Sequence, residues 1–377
     1  MLQNLLVLSL LLFCNYGVEG KKATKEDLEL ERQLKLLNKP AIKTIQTEHG
    51  VYDCVDINKQ PAFDNPLLKN HKVQMQPTSL QLQAADKDSS GLRSEDIELK
   101  DGGCPMGTVP IRRTTKEDLI KSKQFFGNGV SVPPSSSQIA AVGVSGGEAY
   151  YGTDFSLNIW NPPVKTQSYS SMAAVIQYAS EIVQAGWLVH PGLFGDNQTH
   201  LHTFWAAGTR GPGCFNVQCP GFVQVNPAIP LGGLLTPYST YLGPQYEAKV
   251  RLAMDLTTGD WWLFVGADNK NVGYWPKSLF CHLSGGASQV SWTGVAAARP
   301  GLKFPPMGSG YFAEEGTGRS CYFRKVLVMD RIGIFREMDQ RLMYSGADSE
   351  HYTVKYTHQG GGWGWTMYIG GPGGWVG

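Results

Sequence analysis

The chain of 377 residues carries 33 Lys and Arg against 32 Asp and Glu, a formal net charge of +1, with 42% hydrophobic and 17% charged residues. That balance suits a globular protein with enough apolar side chains for the cores of two domains. It offers no concentrated basic surface for nucleic acid or an anionic membrane, so neither is expected as a partner.

From the amino terminus, Leu5 to Phe13 is an apolar run too short to cross a bilayer. Val18-Glu19-Gly20 follows, with small residues at its first and third places as a signal peptidase requires. Residues 1–20 are therefore expected to be a signal peptide, even though Gln3 and Asn4 stand where a leader usually carries Lys or Arg. The chain is expected to be secreted, with no membrane partner once the leader is removed, because no later segment is long and apolar enough to span. Seven cysteines become six when Cys14 leaves, and an even number in an exported chain favours disulfides among Cys54, Cys104, Cys214, Cys219, Cys281 and Cys321. Six cysteines allow fifteen connectivities, and spacing chooses none of them.

Thr24-Lys25-Glu26-Asp27-Leu28 and Thr115-Lys116-Glu117-Asp118-Leu119 are the same five residues, each with an acidic residue three places after a threonine. This is the form of a capping box, and both copies are expected to open short helices. The first continues with Leu30, Leu34 and Leu37 at helical spacing and stops before Lys39-Pro40. Nothing around the two copies repeats, so they share capping chemistry and are not a duplication. Thr78 to Lys100 is polar and reads as a mobile loop. Val132-Pro133-Pro134-Ser135-Ser136-Ser137 reads as a linker, since paired prolines exclude regular structure and serines solvate it. The expected division is a leader over 1–20, a first domain over 21–130, a linker over 131–137 and a second domain over 138–377.

Beyond the linker, short alternating runs recur between Gly, Pro, Asn and Asp clusters. Tyr246, Ala248, Val250, Leu252 and Met254 alternate with Glu247, Lys249, Arg251, Ala253 and Asp255, the pattern of a strand with one apolar and one largely polar face. Thr257-Thr258-Gly259-Asp260 then turns into Trp261-Trp262-Leu263-Phe264-Val265, completing a hairpin. Many such strands, with hardly a helical period among them, predict a mainly β protein: an antiparallel β-sandwich preceded by a small mixed α/β domain.

Three short motifs invite chemistry. Gly143-Val144-Ser145-Gly146-Gly147 matches a nucleophile elbow, but Glu148 to Gly152 reads as the next strand where the elbow needs a helix, so a glycine-rich turn is the better account. His200-Leu201-His202 puts two imidazoles on one strand face, a start for a zinc site, with His190 as the nearest spare third ligand. No HExxH accompanies them, and a pair beside Phe204 and Trp205 reads as a groove rim; neither a metal nor a cofactor is expected. Asn197-Gln198-Thr199 is a glycosylation sequon and marks Asn197 as an exposed loop residue.

Longer motifs carry a family resemblance. In the first domain they are Asp53-Cys54-Val55-Asp56-Ile57, Lys59-Gln60-Pro61-Ala62-Phe63-Asp64, Pro66-Leu67-Leu68-Lys69-Asn70-His71 and Cys104-Pro105 leading to Gly107-Thr108-Val109-Pro110-Ile111-Arg112-Arg113. In the second they are Ala185-Gly186-Trp187, Cys219-Pro220-Gly221-Phe222-Val223-Gln224, Gly273-Tyr274-Trp275-Pro276, Met307-Gly308-Ser309-Gly310 and Gly370-Gly371-Pro372-Gly373. In order and spacing these resemble the neprosins, secreted plant glutamic endopeptidases made as zymogens. The resemblance implies a β-sandwich peptidase domain, and a first domain that shields its groove until acid releases it. It also implies the pairings Cys54 with Cys104 and Cys214 with Cys219. Cys281 and Cys321 are then the remaining candidates for a bridge, at a place where Tyr352 stands instead of a later family cysteine.

Acid proteolysis without a metal needs one group to take a proton from the attacking water and another to give one to the leaving amine, and two carboxyls of separated pKa can do both. The resemblance implies two such glutamates, one just before Ala-Gly-Trp and one shortly after Trp-Gly-Gly. This chain has Gln184 at the first position and Val295, in Trp292-Thr293-Gly294-Val295, at the second. No Asp or Glu occurs between Ser291 and Ala313. Glu181 lies at an odd offset from Gln184, which on a strand places it on the opposite face. Glu314 and Glu315 are the nearest replacements, with Asp196, Glu148 and Asp154 behind them.

The expected function is thus that of a catalytically impaired homologue that binds peptide, with proline-rich wall protein as the ligand class, in a groove formed by Gln184, Trp187, Trp275 and Trp292. The expected location is extracellular or in the cell wall. The alternatives are an active acid endopeptidase using other carboxylates, and a cell-wall carbohydrate-binding or structural protein suggested by the ten tryptophans.

Overall fold

The computed structural model describes residues 24–79, 97–120, 136–210 and 213–375. The expected leader, most of the linker and the middle of the polar stretch after Thr78 lie outside those residues.

Helix α1 (Lys25–Leu37) opens as the capping box dictates. The Asp27 amide donates to Thr24 Oγ1 at 3.1 Å and the Thr24 amide donates to Asp27 Oδ2 at 3.1 Å. The second copy does the same, with Asp118 N–H on Thr115 Oγ1 at 3.1 Å before a helical segment over 116–120. Lys116 Nζ on Asp27 Oδ1 at 2.6 Å ties the two helix starts together.

Strands β1 (Ala41–Thr47), β2 (Gly50–Asp56) and β3 (Thr108–Arg112) form an antiparallel sheet in chain order. The Cys54–Cys104 disulfide closes it, with an S–S distance of 2.04 Å. Soon after β2 come the short 3-10 turns Pro61–Asp64 and Pro66–Leu68, each led by a proline whose missing N–H costs nothing there, and a further turn, Lys100–Gly102, precedes β3.

The second domain is a sandwich of two antiparallel sheets. One contains β4 (Ser137–Tyr150), β6 (Ser168–Tyr178), β7 (Glu181–Val189), β8 (Thr199–Ala207), β9 (Cys214–Phe215), β14 (Ala287–Ala298) and β17 (Met343–Ala347), ordered β17-β4-β14-β6-β7-β8-β9. The other contains β5 (Gly152–Asn158), β10 (Val223–Gln224), β11 (Glu247–Met254), β12 (Trp261–Val265), β13 (Lys270–Trp275), β15 (Tyr322–Met329), β18 (Thr353–Gln359) and β19 (Gly364–Gly370), ordered β10-β13-β12-β11-β5-β15-β19-β18, with β16 (Phe335–Arg336) on β15. The expected hairpin is β11–β12, where Met254 pairs with Trp261 across a turn closed by Gly259 at φ +81.

The core between the sheets is aromatic. Trp187, Trp261, Trp262, Trp275 and Trp292 are all 0% exposed and sit in one cluster with Phe155, Phe222, Phe264 and Phe323. The polar face of β11 is not a solvated one, contrary to the usual meaning of such alternation. Arg251 pairs with Asp154 and lies over the Phe335 ring, while Arg324 Nε donates to Glu247 Oε1 at 2.6 Å beneath Trp363. All four charged groups are buried, so each carries its compensating partner with it.

Candidate functional site

The outer face of the seven-stranded sheet carries a groove of about 280 Å³, at the lower end of ligand-pocket sizes. Strand alternation decides what lines it. On β7 the odd positions Val183, Ala185 and Trp187 enter the core, leaving Ile182 and Gln184 outward. On β14 Val290, Trp292 and Ala296 enter the core, leaving Ser291, Thr293 and Val295 outward. Strand β6 contributes Tyr169, Ser171, Val175 and Gln177, and Phe204 and Phe215 close one side.

Both family positions therefore reach the same groove. The cross-strand row through Gln184 runs Phe204, Gln184, Val175, Ser291, and the row through Val295 runs Leu188, Ser171, Val295, Ile139. The rows are four residues apart on β6, about 13 Å at ~3.3 Å per residue. Gly186, between them, cannot carry a side chain: a Cβ there would meet the Met172 carbonyl oxygen at 2.1 Å.

Gln184 is half-buried, and its Nε2 lies 3.3 Å from His202 Nε2. His202 is fully buried beside Phe215, and its Nδ1 has no hydrogen-bond partner among the described residues. Burial pushes its pKa down to about 4 and that of His190 down to about 3, so both rings are neutral at physiological pH. His190 stacks on Tyr169 at 5.3 Å, and its Nδ1 accepts the Leu193 amide to start the short helix α2 (Pro191–Phe194). Val295 packs against the apolar cluster of Tyr169, Leu188, Leu193, Phe194, Phe215 and Ala297.

Several expected site residues lie elsewhere. Trp187 and Trp292 are core residues because each stands three places from its family position, the same odd offset that removes Glu181. Trp275 is equally buried, edge-on to Phe222 at 4.7 Å. Glu314 and Glu315 lie in the 3-10 turn Ala313–Glu315, outside the groove, accepting hydrogen bonds from Thr353 at 2.7 Å and Tyr241 at 3.1 Å. Asp196 accepts from His200 Nε2 at 2.8 Å, Asp154 is held by Arg251, and Glu148 faces Arg331. Glu181 is 3% exposed on the core side and accepts the backbone amides of Cys281, His282 and Leu283 at 2.7–2.8 Å.

His200 and His202 are not rim residues; both are buried and bonded to different partners, His200 through Asp196 and the Gly232 carbonyl. Ser145 lies within β4 opposite Gln289, with strand β5 following instead of the helix an elbow requires. Cys214 pairs with Cys219, as the resemblance implies, but Cys281 and Cys321 form no bridge. Cys281 is exposed on the loop that Glu181 anchors, whereas Cys321 is buried with its thiol on the Asn158 carbonyl at 3.4 Å. Asn197 is exposed, in a turn where the Gln198 amide donates to Asp196 at 3.0 Å.

Residues 165–372 match the family model described as Neprosin, and residues 44–148 match the one described as Neprosin activation peptide. The chain belongs to the neprosin family. The Neprosin match covers more than half of the chain and contains both groove positions; the activation-peptide match runs from β1 into β4.

Among solved structures, scytalido-glutamic peptidase with a peptide-based transition state analog aligns with a TM-score of 0.35 and 8% identity, covering 62% of this chain and 98% of that one. SCP-B, a member of the eqolisin family of peptidases in a complex with the tripeptide Ala-Ile-His, gives 0.36 and 9% over the same shares. At so distant a likeness the neprosin sandwich is read from its own strand pairing.

Sequence reasoning missed Tyr169, Phe204 and Phe215 as groove residues. Phe204 had a signal, since the β7–β8 hairpin sets it directly opposite Gln184. Tyr169 and Phe215 arrive through pairings that no local pattern announces.

Proposed function

We propose that this neprosin is a catalytically impaired homologue that binds an uncharged stretch of peptide in the former active-site groove. The observation that carries the reading is the lining itself: among the described residues it contains no Asp, Glu, Lys, Arg or His. A carboxamide at Gln184 donates and accepts hydrogen bonds but does not ionise, and Val295 does neither, so the proton traffic of glutamic proteolysis has no carriers. What remains is apolar surface from Ile139, Val175, Ile182 and three aromatic rings, edged by the hydroxyls of Ser171, Ser291 and Thr293. That combination suits neutral peptide, with proline-rich wall protein as the class of ligand. The disulfides support export to the extracellular space or cell wall, and Asn197 is the expected glycan site. Of the tryptophans that suggested a carbohydrate-binding role, Trp187, Trp261, Trp262, Trp275 and Trp292 lie in the core, Trp375 is exposed, and none lines the groove.

The test is incubation of acid-treated protein with a labelled, uncharged proline-rich peptide, followed by both cleavage and fluorescence anisotropy. Saturable binding without cleavage from about pH 3 to pH 7 is expected. Cleavage that is lost in Gln184→Ala but persists in Glu314→Gln and Glu315→Gln would show that the groove is still catalytic and overturn the reading.

A further inference from the structure

The cross-strand row at Gln184 joins Phe204 on β8, Val175 on β6 and Ser291 on β14, and only Gln184 and Ser291 carry polar side chains in it. The groove's other hydrogen-bonding groups are largely committed to one another. Ser291 and Thr293 share a bond between their hydroxyls at 3.1 Å. Gln177 donates from Nε2 to the Ala179 carbonyl at 2.6 Å and accepts from Gln289 Nε2 at 2.8 Å. Gln184 is committed at one end only. Its Nε2 meets His202 Nε2 at 3.3 Å, whereas its Oε1 accepts no hydrogen bond among the described residues and is not sealed from the groove.

A carboxamide nitrogen only donates, so this contact makes His202 Nε2 the acceptor. Burial keeps the ring neutral at physiological pH, and a neutral imidazole that accepts at Nε2 carries its proton on Nδ1. The pull that opposes burial at this ring comes from the Thr203 backbone, as expected of a ring N–H turned toward a carbonyl, although no full hydrogen bond forms there. The glutamate that the family resemblance implies at this position would reverse the arrangement. A carboxylate only accepts, so it would call for the ring proton on Nε2. The glutamine of this chain thus removes a charge and also sets the opposite tautomer beneath the groove.

We infer that His202 is a positioning residue that turns the Gln184 oxygen into the groove, so that the groove selects at this point a ligand residue with a backbone N–H. Proline has none. A proline-rich ligand must therefore place another residue over Gln184 and seat its rings elsewhere. The apolar end offers the surface for them, where Val295 packs against Tyr169 and Phe215, about 13 Å along the strands from the Gln184 row. The selection rests on the peptide-binding reading of the groove; the orientation of the amide does not.

Two measurements test this. In the full chain with isotope-labelled histidine, ring nitrogen shifts at about pH 7 report which nitrogen of His202 holds the proton. Nδ1 is expected in the parent and Nε2 in Gln184→Glu, and a parent ring protonated on Nε2 overturns the inference. In acid-treated protein, a labelled uncharged proline-rich peptide is compared with versions in which each backbone N–H is replaced in turn by N-methyl. Anisotropy should find one position whose methylation weakens binding about threefold to tenfold. That sensitivity should vanish in Gln184→Met, which keeps the length of the side chain but not its oxygen. Sensitivity at no position, or sensitivity unchanged in Gln184→Met, overturns the selection. A peptide that does not bind at all sinks the reading of the groove as a peptide site, while the His202 tautomer still decides the orientation.

Discussion

At Gln184 and Trp187, two residues three places apart on β7, the division between binding surface and scaffold can be measured. Gln184→Ala removes one hydrogen-bonding group from a half-buried site and is expected to weaken peptide binding by about threefold to tenfold, on the order of 0.5–1.5 kcal/mol, with little change in melting temperature. Trp187→Ala should do the reverse. It empties a fully buried site and breaks the indole N–H bond to the Asn158 carbonyl at 2.9 Å, for a stability loss of about 3–5 kcal/mol. Chemical denaturation and anisotropy on the two variants check both. The period of two was enough to place Glu181 away from the groove, and applied to Trp187 and Trp292 it would have placed them in the core as well. In the sequence His202 reads as a groove-rim residue in preference to half of a zinc pair, whereas it is fully buried. Its role beneath Gln184 depends on the pairing of β7 with β8, in which it stands opposite Gly186.

Elements were legible wherever their signal is local. Both capping boxes and the β11–β12 hairpin follow from adjacent residues. The anchoring of the 281–283 loop does not, because it depends on a glutamate a hundred residues earlier. Burial raises the Glu181 carboxyl, but the amides of Leu283, Cys281 and His282 outweigh it, and the net pKa is lowered. A depressed carboxyl pKa stabilises the fold above its unfolded value near ~4.3, and this contribution fades as pH falls through the lowered folded value. Glu181→Gln should therefore destabilise the protein by about 1–3 kcal/mol at neutral pH. The difference from the parent should shrink below about pH 4, as read from melting curves across that range.

For the molecule as a whole, the sequence predicts two bodies and does not predict that residues 57–79 of the first pack into the core cluster of the sandwich, as Ala62 and Leu68 do. Gln60 and Gln224 are 164 residues apart, and no local pattern announces that an amide side chain will pair with an edge strand so far along the chain. Within the first domain the Cys54–Cys104 bridge closes a loop with a sequence separation of 50 that contains Ala62 and Leu68. Reduction is expected to cost about 2–4 kcal/mol by freeing that loop in the unfolded chain. Since Ala62 and Leu68 of that loop lie in one buried cluster with Phe222, Trp262 and Tyr274, both domains are expected to melt together at the lower temperature; calorimetry of reduced and oxidised protein decides this, with two separated transitions as the contrary result.

The Gln60 amide has a colloidal consequence too. An exposed sheet edge is where a foreign strand can dock and where fibrillar growth begins. By occupying both backbone groups of Gln224, at 2.7 Å and 3.0 Å, the Gln60 side chain closes that docking place with polar atoms that cannot propagate a ladder.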